Sequence, residues 1–125
     1  MAAPNIVGVS TITGKTAAYS LSDTSATTIL SNAASSNYVY KVNTIIVAND
    51  DGTNSADITV TYNNAASGGG TAFHLAKTVA VAADSTLVVL DKASSIYLEE
   101  NTSLVATASA GGDLDVVVSY EEIID

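Results

Sequence analysis

Residues 114–120, Leu-Asp-Val-Val-Val-Ser-Tyr, alternate apolar and polar side chains with a period of about two. Successive side chains of a β-strand point to opposite faces of the sheet. The set formed by Leu114, Val116, Val118 and Tyr120 therefore shares one face. We expect this face to point into a hydrophobic core, which makes the stretch the clearest strand of the chain.

Two further stretches support an all-β reading. In residues 56–62, Ile58, Val60 and Tyr62 lie on one face and the other face carries Thr and Asp, as in a strand with one side in the core and one in solvent. Residues 38–48 carry apolar side chains on both parities, which predicts a β-bulge or burial on both faces.

Short β-branched runs separated by Gly, Asn, Asp and Ser clusters continue along the whole chain, and no helical periodicity interrupts them. Further strands are predicted at residues 27–30, 73–81, 86–90, 96–98 and 104–108, with a hairpin of residues 6–13 and 16–21 around Gly14-Lys15. Residues 63–71 form the longest flexible connection. Turn signals every 8 to 12 residues are typical of sandwiches and small barrels.

The fold class predicted is therefore all-β, a single antiparallel β-sandwich of about eight short strands with a Greek-key, jelly-roll-like or Ig-like order. A length of 125 residues suits one domain, residues 1–125, in which residues 1–13 are an assembly arm or an edge strand. No run reaches the roughly 18 apolar residues of a membrane-spanning helix.

Composition excludes several classes of partner. The chain has 13 acidic residues against four basic ones and a net charge of −9, so we expect no nucleic-acid partner and no anionic membrane, because both are bound through Lys and Arg. The absence of Cys removes disulfides, thiolate metal sites and cysteine nucleophiles.

Candidate catalytic residues are sparse. His74 is the one imidazole, and no strained Gly-x-Ser-x-Gly nucleophile turn accompanies it. The doublets Glu99-Glu100 and Glu121-Glu122 resemble a glycosidase acid pair only in composition, because adjacent strand residues point to opposite faces. The sequence therefore predicts a protein that is not an enzyme and that has no cofactor.

A weak candidate for a metal site lies at residues 49–57. Asp50, Asp51 and Asp57 supply oxygen ligands suited to Ca²⁺, but the stretch departs from the EF-hand spacing and lacks its closing Glu. A polar hairpin turn explains the same residues, because turns select Asp, Asn and Gly for backbone geometry.

Several segments carry a family resemblance that covers nearly the whole chain. They include Ala3-Pro4-Asn5-Ile6-Val7, Asp51-Gly52-Thr53-Asn54, Asp84-Ser85-Thr86-Leu87-Val88 and Ser119-Tyr120-Glu121-Glu122-Ile123. With these the chain resembles small virion structural proteins of tailed phages that infect marine cyanobacteria. The resemblance implies a single β-sandwich module on the capsid exterior or the tail, with no enzymatic activity.

These observations together predict a capsid decoration or cement protein that binds the head lattice and resides in the virion. Its expected partners are the major capsid protein or other virion proteins, and further copies of itself in a homo-oligomer. Ile6, Val7, Val9 and Ile12 form an apolar run that we expect to contact a neighbour by adding a strand to a sheet edge. A tail, neck or fibre subunit is the alternative.

A carbohydrate-binding module for host-surface glycans is a second alternative, from a different class of function. It would need an exposed aromatic platform. The chain has no Trp and 6% aromatic residues.

Overall fold

The computed structural model describes residues 6–124, and these form two antiparallel β-sheets. The nine strands are β1 (Thr11–Leu21), β2 (Thr27–Asn32), β3 (Tyr38–Asn49), β4 (Ala56–Asn63), β5 (Ala72–Val81), β6 (Thr86–Leu90), β7 (Ile96–Leu98), β8 (Thr102–Ala108) and β9 (Leu114–Ile124). Two single-turn 3₁₀ helices lie at Ala66–Gly68 and Lys92–Ser94. None of the helices within these residues is long or apolar enough to cross a membrane.

The first sheet has the order β1-β9-β3-β6, with β7 also paired to β3, and the second has the order β2-β8-β4-β5. Strands β6 and β7 pair with successive parts of β3 and act as one strand interrupted by Lys92–Ser94. Apart from that interruption and the β4–β5 hairpin, each connection crosses from one sheet to the other. This arrangement of two four-stranded layers is the jelly-roll form of the β-sandwich, and it confirms the predicted fold class.

The core fills the space between the sheets as the alternation predicts. Leu114, Val116 and Val118 of β9 are fully buried, and they face Ile58 and Val60 of β4 across the sandwich interior. The largest fully buried side chains are all Leu, Ile or Val, types that suit a protein core. Burial of these aliphatic side chains supplies the main stabilisation of a chain that has no disulfide.

Strand β3 contains the predicted bulge. Its register with β9 shifts between Val42 and Thr44, which leaves Asn43 as the extra residue. The shift lets Val42 and Ile45, on opposite sequence parities, both point into the core with no exposed surface. The bulge therefore accounts for the mixed apolar pattern of residues 38–48.

The predicted N-terminal hairpin is wrong. Residues 11–21 form one continuous strand that pairs with β9 from Thr11 opposite Ile124 to Leu21 opposite Leu114. Gly14 and Lys15 lie within this strand. No atom lies within 4 Å of where a Cβ of Gly14 would be, so the position does not require glycine.

The loop of residues 64–71 is anchored to the second sheet, contrary to the expectation of a flexible connection. The Ser103 hydroxyl accepts the Gly68 N–H at 2.9 Å and donates to the Ala65 carbonyl at 2.7 Å. The Asn63 side chain donates to the carbonyls of Gly68 and Gly69. The loop therefore covers the outer face of β2 and β8.

Candidate interaction surface

Strand β1 forms a long sheet edge with no second partner strand among residues 6–124. It pairs with β9 on one side only, over eleven residues and without a register shift. Nine of these residues are exposed, one is half-buried, and Leu21 at the end is buried. Because an unpaired edge presents a row of free N–H and C=O groups, β1 is a template for another strand. We call Thr11–Leu21, seen from its unpaired side, the β1 edge.

The edges of the second sheet are both interrupted. Strand β2 has six residues and a bulge between Thr28 and Leu30, and the loop of residues 64–71 lies against it through the Ser67 N–H and the Ser31 hydroxyl, 2.9 Å apart. Strand β5 has two register shifts against β4 and a positive φ of 45° at Thr78. Bulges of this kind twist an edge and hinder further pairing.

The remaining edge of the first sheet is broken. Strands β6 and β7 have five and three residues, and the 3₁₀ turn Lys92–Ser94 separates them. The Asp91 carboxylate caps this turn by accepting the Ser94 N–H at 3.0 Å. A partner strand of ordinary length cannot pair continuously with such an edge.

Charge on the β1 edge is low. The strand has no acidic residue, although the chain carries 13 of them. Its one charged side chain, Lys15, lies 3.2 Å from the Glu122 carboxylate of β9, and the hydrogen bond to Glu122 raises the pKa of Lys15 above its ordinary value. The Lys15 ammonium is therefore held over its own sheet.

A tyrosine cluster lies beside this ion pair. Tyr38 and Tyr40 stack with ring centroids 6.1 Å apart, and Tyr40 contacts Tyr120 at 5.3 Å. Partial burial, followed by the nearby Glu122 charge, raises the pKa of Tyr40, and burial likewise raises the pKa of Tyr120. The rings pack on one another, and those of Tyr40 and Tyr120 also pack against the core, as the sequence predicts for Tyr120.

Three of the four predicted contact residues precede β1, and the fourth lies near its start. Ile6 and Val7 are 51% and 92% exposed and belong to a turn before the strand, and Val9 is half-buried. Ile12, 54% exposed, lies within β1 opposite Ile123. The strand begins at Thr11, so the apolar run is a turn followed by the first residues of the edge.

The outer face of the first sheet carries an apolar band. Ala18, Val117, Ile46 and Val88 lie side by side across the four strands, and Val88 is 56% exposed. A shallow depression of about 250 Å³ crosses β1 and β9 nearby, lined by Ala18, Tyr19, Ser20, Asp115, Val116 and Val117. Its volume is below the roughly 300 to 1,000 Å³ of small-molecule sites.

The calcium candidates are not gathered into one ligand group. Within residues 6–124 no three acidic or His side chains are placed to hold a metal. The Asp51 carboxylate accepts the N–H groups of Thr53 at 2.7 Å and Asn54 at 3.1 Å, which lowers its pKa below the ordinary value. Asp57 lies in β4, and the Asp50 N–H donates to the Asp113 carbonyl.

The candidate catalytic residues are dispersed. His74 is exposed on β5 opposite Thr61. Glu121 accepts a hydrogen bond from Asn43 at 3.2 Å on one face of β9, whereas Glu122 pairs with Lys15 on the other. Glu100 accepts the Asn37 N–H at 2.9 Å. The register thus places the Glu121 and Glu122 carboxylates on opposite faces, as predicted.

Sequence reasoning missed the continuous β1 edge. Its signal is the composition of residues 11–21, where Thr, Ala, Ser and Gly occupy both parities and clear alternation is lacking. A strand whose two faces are both exposed needs no alternating apolar side chains. The hydrophobic periodicity of the sequence therefore does not reveal it.

Comparison with known proteins indicates the fold. No protein-family model matches the chain, and no curated protein matches it. A chain of the Bacillus endospore appendages, described as disulfide-linked pili, matches 94% of this chain and 93% of its own length, with 16% identity and a TM-score of 0.54. A chain of the T13 viral particle of IBDV matches 93% of this chain at 11% identity with a TM-score of 0.50, and this chain spans 32% of its length.

A third solved structure is the capsid asymmetric unit of cyanophage Pam1. One of its chains matches 100% of this chain and 93% of its own length, at 14% identity with a TM-score of 0.38. The shared fold rests on the pilus and IBDV structures, whose TM-scores are higher.

Proposed function

We propose that this chain is a non-enzymatic structural protein of a phage virion and that it decorates the head lattice. The observation that carries the proposal is the β1 edge, eleven residues that no other strand within residues 6–124 protects, preceded by the exposed side chains of Ile6 and Val7. Protected edges are the rule in soluble monomers, so a long open edge indicates a protein that assembles.

The rest of the molecule is consistent with assembly. The sandwich is closed by short turns and an anchored loop, so docking orders few additional residues. Many copies on one shell gain from multivalent contact even where each contact is weak. The net charge of −9 favours solubility of the free protein before it binds the shell.

The fold supports the same class of role. The pilus and IBDV structures that share it are, by their descriptions, a pilus and a viral particle. The sequence resemblance to phage virion proteins favours the head or tail of a phage. The absence of Cys argues against a disulfide-linked filament of the kind described for the endospore appendages.

Carbohydrate binding is the second candidate, and the tyrosine cluster is the observation that favours it. Aromatic rings beside a carboxylate and an ammonium group offer stacking and hydrogen bonds to a sugar. The rings contact one another at 5.3 and 6.1 Å, which leaves less free ring surface than an open platform. A glycan array that gives no signal would remove this candidate.

An add-back experiment tests the main proposal. Particles of the source phage that lack this protein are mixed with the purified chain and sedimented through sucrose, with isolated heads and tails run in parallel. We expect saturable binding to heads. Saturable binding to tails would identify a tail, neck or fibre subunit, and no binding to either would contradict a virion role.

A further inference from the structure

The β1 edge has the properties of one half of a symmetric strand pair. Its register with β9 is unbroken from Thr11 to Leu21, and eleven strand residues extend over roughly 35 Å. Every second residue of an edge strand directs its N–H and C=O groups away from the sheet. A strand of similar length and straightness would satisfy this row.

We propose that the occupant of the β1 edge is the β1 strand of a second copy, antiparallel to the first about a two-fold axis perpendicular to the sheet. The two first sheets would then join into one continuous sheet. This inference rests on the proposed role of the β1 edge as an assembly surface, but it does not depend on where the protein resides in a virion.

Charge favours a second copy of this particular strand. Each chain carries a net charge of −9, so most approaches between two copies bring carboxylates together. Strand β1 has no carboxylate, and its Lys15 is paired with Glu122. Pairing β1 with β1 therefore brings no carboxylate of the paired strands face to face.

The other edges of the chain are poorer partners for β1. Strand β2 is short, bulged and flanked by the anchored loop, strand β5 changes register twice, and β6 and β7 are separate short pieces. A bulge in either member disrupts the ladder of hydrogen bonds. Within the residues that the structure describes, β1 is thus the edge that best matches β1.

Side-chain identity selects a register centred on Thr16. Directly opposed residues of an antiparallel pair have their side chains on the same face of the sheet. The two-fold axis therefore lies between one residue and the same residue of the second copy. Centring on Thr16 pairs all eleven residues and places Thr16 against Thr16, a favourable cross-strand pair. Lys15 then lies opposite Ala17, whereas a centre one residue earlier would oppose the two Lys15 ammonium groups.

Tyr19 gains from the same register. It is 40% exposed on the inner face and would lie opposite Thr13 of the second copy, with that copy's Lys15 diagonal to it. An aromatic side chain opposite a β-branched one is a favourable cross-strand pair. Ile12 would lie opposite Ser20 on the outer face.

Single-cysteine variants test the register, because the chain has no Cys of its own. In Thr16→Cys the two sulfurs face each other across the axis, with Cα atoms roughly 5 Å apart, within the range for a disulfide. In the matched variant Ser20→Cys the two Cα atoms lie roughly 27 Å apart. Under a mild oxidant we expect Thr16→Cys to form covalent dimers and Ser20→Cys to remain monomeric. Equal or absent cross-linking in the two variants would overturn the proposal.

A charge variant tests self-association without covalent cross-linking. Sedimentation equilibrium of the wild type should give twice the 12.6 kDa of one chain at micromolar concentration. Thr16→Lys opposes two ammonium groups at the axis and should weaken association about tenfold or more, whereas Thr86→Lys on β6 should leave it unchanged. A wild type that stays monomeric overturns this inference but leaves head binding in the add-back experiment untouched, so the two failures are distinguishable.

Discussion

Asn32 and Asn49 join the two sheets at opposite ends of β3. The buried Asn32 amide, on β2 in the second sheet, donates to the carbonyls of Tyr38 at 2.9 Å and Leu98 at 3.0 Å in the first sheet. The Asn49 amide, at the end of β3, donates to the Val81 carbonyl of β5 at 3.0 Å. Each amide thus satisfies a backbone carbonyl where strands of the two sheets end.

We predict that Asn32→Ala and Asn49→Ala each lower the free energy of unfolding by about 1–3 kcal/mol, because buried carbonyls lose their donors. The double variant should show roughly the sum, since distant sites act independently. Urea unfolding measures both, with the exposed Thr86→Ala as control. A loss of unfolding free energy no larger than that of Thr86→Ala would contradict the role of the two amides.

Gly111 and Gly14 should respond oppositely to alanine. A Cβ at Gly111 would lie 2.7 Å from the carbonyl oxygen of Ser22, whereas nothing lies within 4 Å of one at Gly14. Gly111→Ala should therefore cost about 1–3 kcal/mol as the backbone shifts. Gly14→Ala should be neutral or slightly stabilising, because alanine loses less backbone entropy. Similar melting temperatures for the two variants would refute this account.

The Asp51 carboxylate should make stability depend on acid pH. The N–H groups of Thr53 and Asn54 hold its pKa below the ordinary 3.8. A lowered folded-state pKa stabilises the fold fully above the unfolded-state pKa, and this contribution disappears as pH falls through the folded-state pKa. Asp51→Ala should thus be less stable than the wild type at neutral pH.

The difference in melting temperature between wild type and Asp51→Ala should shrink below about pH 3.8. Asp51→Asn keeps an acceptor oxygen but does not titrate, so it should retain most of the stability and lose this pH dependence. A difference between wild type and Asp51→Ala that stays constant from neutral to acid pH would show that the carboxylate charge contributes nothing.

The predicted N-terminal contact can be tested at Ile12, with Val88 as a control of equal exposure. The two side chains are 54% and 56% exposed, on β1 and β6 respectively. Ile12→Asp should reduce head binding at least about tenfold, since it places a charge in a desolvated contact. Val88→Asp should bind as the wild type does, and both variants should keep the wild-type melting temperature. Equal loss in both would remove the apolar run that contains Ile12 as the head-binding contact.

A deletion variant must respect the observed start of the strand. Because β1 begins at Thr11, removal of residues 1–13 would also remove part of a strand that pairs with β9. Removal of residues 1–9 deletes Ile6, Val7 and Val9 of the apolar run and leaves all of β1 in place. This shorter variant should unfold cooperatively and fail to bind heads.

The alternating strands were predictable because one of their faces is buried. Residues 114–118 and 56–60 each alternate buried and half-buried side chains, so a period of two appears in the sequence. The bulge in β3 was also predictable, because it moves Val42 and Ile45 to the same face and leaves a mixed parity in the sequence.

The β1 edge and the anchored loop were not predictable, for a shared physical reason. Among residues 6–124 no element covers most of β1, so its composition shows no clear inward face. Hydrogen bonds with Ser103 and Asn63 hold the loop of residues 64–71 in place. Ser103 is distant from the loop in sequence, and neither polar residue belongs to a periodic pattern. A glycine-rich composition by itself predicts a flexible loop, but here hydrogen bonds to a residue distant in sequence hold the loop in place.

The most direct test of the proposed virion role is quantitative mass spectrometry of purified particles of a phage that encodes this chain, with heads and tails separated. We predict that this chain is found with the heads, at a simple fraction of the number of major capsid protein copies. Recovery with tails in a few copies would contradict head decoration, and absence from the particles would contradict a virion role altogether.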